Sequence, residues 1–303
     1  MAENLLLLLS WLGELIVASW LLADGAEHLA ERWGGRFVGR TLLSIATTLP
    51  EIAIVVAAAK DGSYDTALGS ALGSNLFMMT LGLAVMLIIA TTKLSKAPQK
   101  FVDVKQFKLD KILLVITAVV GALLFIDGFD VIDGIIFTGL FGAYLYLAFR
   151  EMKQEKKETI LESELHRTHE TKMSKKHFGR SMILFIAGTI PIAGEMPEKI
   201  SMILLARKGA NGASIAVANV LGSKILNNTL LLSVAVFAAM TYRGFTTKIP
   251  NTSLLEYQMI LVTVITIVAL VPMFRNKLGL KSGIMLLVLY GIGIGFQFIL
   301  PSL

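Results

Sequence analysis

The chain has 303 residues, of which 55% are hydrophobic, and a formal net charge of +6. Its mean hydropathy is +0.71, and apolar runs of about 18 or more residues, each long enough to cross a bilayer, recur along it. These features exclude an ordinary soluble domain and predict an all-α, polytopic membrane protein. The absence of cysteine excludes disulfides and thiolate metal sites, and no pattern predicts a cofactor. The net positive charge lies in the loops between the apolar runs, which favours an orientation signal over nucleic-acid binding.

Nine apolar runs predict nine membrane spans. These are residues 4–24, 37–59, 66–91, 111–126, 131–149, 181–206, 212–240, 254–274 and 280–299. Residues 1–149 form a first half, residues 150–180 a basic cytoplasmic linker, and residues 181–303 a second half with four apparent spans. Lys and Arg in the first-half loops place the amino terminus outside. We therefore expect a multi-pass protein of the plasma membrane, in contact with the lipid bilayer.

A proline followed by an acid lies in the middle of the second predicted span. The stretch from Ala46 to Glu51 reads Ala-Thr-Thr-Leu-Pro-Glu. Proline removes a helical hydrogen-bond donor and predicts a local break in the helix. A carboxylate at membrane depth is costly unless it binds a ligand or a partner. A broken helix with an acid at the break can present backbone carbonyls and a side chain to an ion. This pattern predicts that Glu51 binds a cation.

The same pattern returns in the second half of the chain. Pro50-Glu51 recurs as Pro197-Glu198. A Gly-Ser block follows each copy and ends at Ser74 in the first half and at Ser223 in the second. The Glu-to-Ser spacing is 23 residues in the first copy and 25 in the second. Internal repeats with interrupted helices in corresponding places predict a secondary transporter with its binding site between the repeats.

These blocks resemble the alpha-repeats of the Ca2+/cation antiporter superfamily, which includes the sodium/calcium exchangers. The family pattern is Gly-Thr-Ser-Leu-Pro-Glu on one helix and Gly-Asn-x-x-Gly-Ser-Asn on the next. The corresponding blocks here are residues 46–51 (Ala-Thr-Thr-Leu-Pro-Glu), 69–75 (Gly-Ser-Ala-Leu-Gly-Ser-Asn), 193–198 (Ala-Gly-Glu-Met-Pro-Glu) and 218–224 (Ala-Asn-Val-Leu-Gly-Ser-Lys). The resemblance covers most of the chain, with a divergent second repeat. It implies an inverted-repeat fold with Pro-broken helices and clustered ion sites at the membrane midplane.

The resemblance also implies a set of oxygen ligands for transported ions. By position, Glu51 and Glu198 are the central ligands of a divalent ion. One monovalent site takes hydroxyls of the first repeat and the Ser44 carbonyl, and the other takes Ser223. The full candidate set is Glu51, Glu198, Thr47, Thr48, Ser44, Ser74, Asn75, Glu195, Ser223 and Asn227. Independently of the family, hard cations prefer carboxylate, carbonyl and hydroxyl oxygens, and two facing carboxylates repel unless a cation or proton lies between them.

Three features depart from the family pattern. Met78 stands where an oxygen ligand is common, Gly194 and Glu195 replace hydroxyl residues, and Lys224 replaces an asparagine. A lysine at membrane depth needs a partner, and Glu195 and Glu198 are candidates. We hypothesise that Lys224 acts as a tethered cation that fills one monovalent site and lowers the number of exchanged ions. The alternative is a structural Lys–Glu pair away from the ion path.

The number of spans and the charge bias predict different topologies. No apolar span precedes the second Pro-Glu helix, since residues 150–180 are too charged to cross hydrocarbon unaided. Nine spans would make the two repeats parallel. The distribution of Lys and Arg favours inverted repeats. Either one segment is not a full crossing or the chain is a truncated member of the family.

The predicted function is secondary active cation antiport. A cation, with Ca2+ as the first choice, exchanges for Na+ or H+ by alternating access at the midplane carboxylates. The alternatives are a proton-coupled divalent-cation exchanger and a non-transporting membrane cation sensor. An intramembrane enzyme is disfavoured, because no His or Asp pair lies in the spans and Ser74 has no neighbouring base. The expected partners are inorganic cations and lipid, and the oligomeric state stays open.

Overall fold

A computed structural model describes residues 2–166, 175–189 and 196–299. The described α-helices are α1 (Ala2–Trp33), α2 (Gly35–Phe37), α3 (Ser44–Asp61), α4 (Tyr64–Phe77), α5 (Leu83–Thr91), α6 (Lys108–Leu124), α7 (Val131–His166), α8 (Lys175–Thr189), α9 (Met196–Arg207), α10 (Ala210–Leu226), α11 (Leu232–Arg243), α12 (Ser253–Phe274) and α13 (Leu280–Ile299). Three π-helical segments join helices end to end, namely π1 (Val38–Leu43), π2 (Met78–Gly82) and π3 (Asn227–Leu231). Two short strands, β1 (Val102–Asp103) and β2 (Lys277–Leu278), and two 3-10 turns, Lys105–Phe107 and Phe125–Asp127, complete the fold.

Seven helical rods among the described residues are long and apolar enough to cross a membrane. They are Gly35–Asp61, Tyr64–Thr91, Lys105–Asp127, Val131–Gln154, Ala210–Arg243, Ser253–Phe274 and Leu280–Ile299. These rods coincide with seven of the nine predicted spans. The predicted span 4–24 falls on α1, and the predicted span 181–206 falls on α8 and α9, with residues 190–195 outside the described part. The chain is an all-α, multi-pass integral membrane protein.

Each half of the chain follows the same helix order. A rod here is a single helix or a run of helices joined by a π-helical segment. The rods of the first half are α1, α2 to α3, α4 to α5, α6 and α7. The rods of the second half are α8, α9, α10 to α11, α12 and α13. A helix therefore does precede the second Pro-Glu helix. Five rods per half is an odd number, which agrees with the inverted repeats that the charge bias predicts.

The expected linker 150–180 is helical over much of its described length. Helix α7 continues to His166, and α8 begins at Lys175. Helix α1 packs along α8 and α9. These contacts attach the beginning of the second half to the first helix of the first half.

Pro50 lies inside a continuous helix, so the predicted break at this proline is wrong. Helix α3 runs from Ser44 to Asp61, and the departure from α-helical hydrogen bonding lies just before it, in π1. A break would expose several backbone groups at membrane depth, at several kcal/mol each. Continuing the helix costs the bond that residue 50 would have donated to the Ala46 carbonyl and the clash of the proline ring with that carbonyl, about 3 kcal/mol together. The second proline, Pro197, is the second residue of α9, where a missing N–H is tolerated.

Two of the π-helical segments confirm the internal repeat. Segment π2 begins at Met78, four residues after Ser74, and π3 begins at Asn227, four residues after Ser223. The two repeats therefore share a backbone irregularity as well as a motif. Such π-bulges are frequent at functional sites.

A buried charge cluster fixes π1 against two other spans. Arg40 Nη1 lies 3.2 Å from Asp110 Oδ1 on α6 and 2.6 Å from Glu151 Oε2 on α7. The Tyr144 hydroxyl, also on α7, donates to the Arg40 carbonyl at 2.9 Å. Arg40 and Asp110 are fully buried, where a charge needs a partner. This cluster holds the start of the first Pro-Glu rod in place.

Short backbone pairings join loops of the two halves. Strands β1 and β2 pair antiparallel, with Val102 opposite Leu278 and Asp103 opposite Lys277. Elsewhere, Phe129 and Ile249 exchange backbone hydrogen bonds of 3.0 and 2.9 Å. The halves are thus connected through their loops as well as through their helices.

Candidate cation site

The first Pro-Glu helix turns its polar side chains toward the protein interior. Ser44, Thr47, Thr48 and Glu51 are all buried, with Glu51 1% exposed. Their spacing of three or four residues places them on one face of α3. Leu49 between them is 48% exposed and faces outward. The predicted ligands of the first repeat therefore share one buried helix face.

The second Pro-Glu pair places a buried carboxylate at the beginning of α9. Glu198 is 2% exposed, and Asn219 Nδ2 on α10 donates to Glu198 Oε1 at 3.0 Å. Negative charge is favourable at a helix amino terminus, because the free N–H groups there carry partial positive charge. The neutral amide orients the carboxylate without cancelling its charge.

The helices of the two repeats meet at Ser44. Its Oγ lies 3.0 Å from the Gly39 carbonyl oxygen, 3.1 Å from the Asn219 carbonyl oxygen and 3.2 Å from Asn219 Oδ1. A hydroxyl has one proton, so it can donate to only one of these oxygens at a time. Gly222 permits the close approach, since a Cβ there would lie 2.5 Å from Ser44 Oγ. A hydrogen-bonded route thus runs from Ser44 through Asn219 to Glu198.

The two repeat-related serines differ in their contacts. Ser74 Oγ accepts a hydrogen bond from Lys224 Nζ at 3.0 Å, and both side chains are buried. Ser223 Oγ is also buried, and no group within the described residues bonds to it. One serine therefore already contacts a cation of the protein, whereas the other offers its oxygen.

Other buried polar atoms near the motifs also have no partner among the described residues. They include Thr48 Oγ1, Asn75 Oδ1 and both side-chain amide atoms of Asn227. Buried polar groups are nearly always bonded, so each exception needs a ligand, an ion or a water. Hydroxyl and amide oxygens are ligands of hard cations. The buried carboxylates of Glu51 and Glu198 are also oxygen groups of the kind that Na+ and Ca2+ bind.

Asn75 and Asn227 line a separate cavity of about 10 Å3 between α4, α6, π3 and α12, and neither glutamate is part of its lining. Asn75 Nδ2 donates to Asn228 Oδ1 at 2.5 Å, and Asn228 Nδ2 donates to Thr117 Oγ1 at 3.5 Å. The volume suits about one water molecule. These contacts connect three rods, as polar side chains between membrane helices commonly do.

Three further positions complete the account of the predicted site. Glu195 lies outside the described residues. Met78 is fully buried at the start of π2. Lys199, next to Glu198, is nearly buried and places Nζ 4.5 Å from the ring centroid of Phe77, a cation–π contact. A second lysine therefore lies close in the chain to the second carboxylate, but it faces an aromatic ring.

The chain is similar to known membrane proteins in sequence. The family model described as sodium/calcium exchanger protein matches residues 4–150 and 169–299. The inner membrane protein YrbG of Escherichia coli strain K12 is 28% identical over an alignment of 228 residues that covers 64% of this chain and 67% of YrbG. The putative antiporter CaxA of Alkalimonas amylolytica is 31% identical over 137 residues, which are 45% of this chain and 42% of CaxA.

The fold is similar to that of solved structures of the sodium-calcium exchanger NCX_Mj. The structure soaked with 10 mM Na+ and 10 mM Sr2+ gives a TM-score of 0.73 at 21% identity, covering 95% of this chain and 96% of that chain. The structure soaked with 2.5 mM Na+ and 1 mM Sr2+ gives a TM-score of 0.74 with the same coverage. At 21% sequence identity, this structural similarity establishes the fold alone. Because the family model matches one block on each repeat and most of the chain, this protein belongs to the sodium/calcium exchanger family.

Proposed function

We propose that this cation antiporter exchanges Ca2+ for Na+ or H+ at one site formed by Glu51 and Glu198, in the plasma membrane. The observation that carries the proposal is the placement of one buried Pro-Glu carboxylate in each repeat. Two buried hydroxyls, of Thr48 and Ser223, have no protein partner within the described residues and supply additional oxygens.

Exchange results when two kinds of cation compete for the same two carboxylates. Buried carboxylates are unfavourable together without a cation or a proton. A divalent ion and monovalent ions therefore compete for Glu51 and Glu198. Closing the site without a bound ion is unfavourable, because the two carboxylates would then be buried without a compensating charge. Ca2+ prefers six to eight oxygen ligands in flexible geometry. Asn219 orients one carboxylate and contacts Ser44 of the other repeat, so ligands on the two repeats are mechanically connected.

Two alternatives use the same carboxylates. A proton-coupled exchanger would protonate them when the divalent ion leaves. A cation sensor would bind an ion without moving it. Transport across a membrane under imposed gradients separates all three.

The test is uptake of 45Ca2+ into proteoliposomes that hold the purified protein. We expect uptake driven by an outward Na+ gradient, and Glu51→Gln should abolish it. The exposed acid of α1 supplies the matched control, Glu14→Gln, which should keep wild-type uptake. Uptake driven by a pH gradient, and not by a Na+ gradient, would show that H+ is the coupling ion. Ca2+ binding without uptake under either gradient would overturn the proposal in favour of a sensor.

A further inference from the structure

The ammonium of a buried lysine in the second repeat contacts a buried hydroxyl of the first. Lys224 is 0% exposed and Ser74 is 1% exposed, and the distance from Lys224 Nζ to Ser74 Oγ is 3.0 Å. An ammonium at membrane depth is costly unless polar groups hold it. Lys224 belongs to α10 in the second half, while Ser74 belongs to α4 in the first. The contact therefore crosses the interface between the repeats.

The internal repeat supplies a comparison for this contact. Ser74 and Ser223 follow the glycine of equivalent Leu-Gly-Ser blocks, and both precede a π-helical segment by four residues. Ser223 Oγ is buried, and among the described residues it has no hydrogen-bond partner. Of two related hydroxyls, one is bonded to an ammonium and the other is available to an ion. The difference is Lys224, because residue 75 stands in the equivalent position of the first repeat and is an asparagine.

We propose that Lys224 is a built-in monovalent cation that occupies, at Ser74, the position of an exchangeable Na+. An ammonium and Na+ carry the same charge and seek the same hydroxyl, carbonyl and carboxylate oxygens. With the ammonium in place, the site binds one Na+ fewer than it would with a neutral residue there. This inference rests on the proposed function for its transport consequence, since the remaining ions are those held by Glu51 and Glu198.

The transport consequence concerns coupling. A fixed positive charge stays with the protein through the cycle, whereas a bound Na+ is released. Replacing Lys224 with a neutral ligand should therefore raise the number of Na+ ions exchanged per divalent ion by one. A second buried lysine, Lys199, places its Nζ over the Phe77 ring, and this cation–π contact is the basis for expecting no change in coupling when its charge is removed.

The direct test is the number of 22Na+ ions bound per protein at saturation, measured by equilibrium dialysis in detergent. We expect Lys224→Asn to bind one Na+ more than the wild type. The double variant Ser74→Ala/Lys224→Asn should return to the wild-type number, because the added ion would lose its hydroxyl. Lys199→Met, the matched control for removal of a buried lysine, should bind the wild-type number.

An equal number of bound Na+ ions in wild type and folded Lys224→Asn would overturn the inference. If Lys224→Asn does not fold, Lys224→Gln is measured in the same way. Ser74→Ala alone offers an independent test, since the ammonium already excludes Na+ from Ser74 and the number should stay unchanged. Loss of one Na+ in Ser74→Ala would contradict the inference.

This count does not require transport, so it separates the two proposals. An additional Na+ in Lys224→Asn without any Ca2+ flux in the wild type would support the inference and overturn the proposed exchange. Intact wild-type exchange with an unchanged Na+ count in Lys224→Asn would support the proposed exchange and overturn the inference about Lys224. In proteoliposomes, the net charge moved per Ca2+ gives a second measure. Counted as positive in the direction of Na+ movement, this charge should increase by one elementary charge in Lys224→Asn.

Discussion

Gly222 of α10 lies directly against the backbone of Arg40, and a Cβ at Gly222 would sit 2.3 Å from the Arg40 carbonyl oxygen. The equivalent glycine of the first repeat, Gly73, has no atom within 4 Å of its corresponding Cβ position among the described residues. The two repeats therefore use the same Gly-Ser block in different packing environments. The first Pro-Glu rod crosses α10 at backbone contact, and this crossing brings Ser44 to Asn219.

This asymmetry predicts opposite results for one substitution at two equivalent glycines. Gly222→Ala should lower the unfolding free energy by about 3 kcal/mol, since the clash involves backbone that cannot give way easily. Gly73→Ala should leave stability unchanged or raise it by up to about 1 kcal/mol, because alanine favours a helix interior over glycine. Thermal unfolding in detergent measures both. Equal destabilisation by the two variants would contradict the packing described here.

The buried Arg40–Asp110 pair predicts a large stability loss when one partner is neutralised. Asp110→Asn should destabilise the protein by about 3 kcal/mol, because it removes one of the two carboxylates that hold a fully buried guanidinium. Asp61→Asn, at an exposed position on α3, is the matched control and should unfold like the wild type.

The double variant Arg40→Gln/Asp110→Asn sharpens this test. It removes both charges and should be less destabilised than the sum of its single variants, because Arg40 and Asp110 are neutralised together while Glu151 keeps Arg36 at 3.8 Å. Chemical denaturation of all four proteins gives the coupling. Additive losses would show that Arg40 and Asp110 act independently.

The amide of Asn219 predicts an effect on ion affinity. Asn219→Ala removes a hydrogen bond that orients Glu198 Oε1. The loss of a hydrogen bond to a charged group is about 1.5–3 kcal/mol, so we expect the Kd for Ca2+ to rise by at least about tenfold. Asn211→Ala, at an exposed position near the start of the same helix, should bind Ca2+ with the wild-type Kd. An unchanged Kd in Asn219→Ala would exclude this positioning role.

The turn before α7 predicts a pH effect on stability. The backbone N–H of Ile132 donates to Asp130 Oδ1 at 2.8 Å and lowers the pKa of Asp130, with further help from the Asp133 N–H and from Lys248. A lowered pKa means that the carboxylate stabilises the fold above its ordinary pKa of about 3.9, and that this stabilisation is lost as the pH falls through the lower folded value. Asp130→Asn keeps a capping side chain without the charge. Its Tm should fall less than that of the wild type between pH 5 and about pH 3, and identical slopes would contradict the assignment.

The buried residues of the first Pro-Glu helix could be predicted from the sequence. Thr47, Thr48 and Glu51 interrupt an apolar run, and a polar side chain at membrane depth must face protein or an ion rather than lipid. All three are buried in the structure, while Leu49 faces outward. The helix break at Pro50 was wrong because lipid makes a broken helix more costly than a single missing hydrogen bond.

Other parts of the site depend on contacts that sequence spacing does not encode. The sequence does not reveal that Arg40 forms a buried ion pair, because its partner, Asp110, is 70 residues away. The π-helical segments leave no compositional signal, although their equivalent positions in the two repeats are evident once the backbone is known. Asn75 and Asn227 fit the family pattern by position, yet only packing reveals their shared cavity with Thr117.

The central claim is that Glu51 and Glu198 form one cation site, and a double-mutant cycle on 45Ca2+ binding tests it most directly. The Kd is measured by equilibrium dialysis for the wild type, Glu51→Gln, Glu198→Gln and the double variant. If both carboxylates hold the same ion, each single variant should bind Ca2+ much more weakly, and the free-energy loss in the double variant should differ from the sum of the single losses by at least about 1 kcal/mol. Single losses that add within about 0.5 kcal/mol, or a single variant that retains wild-type affinity, would show that the two glutamates do not share a cation.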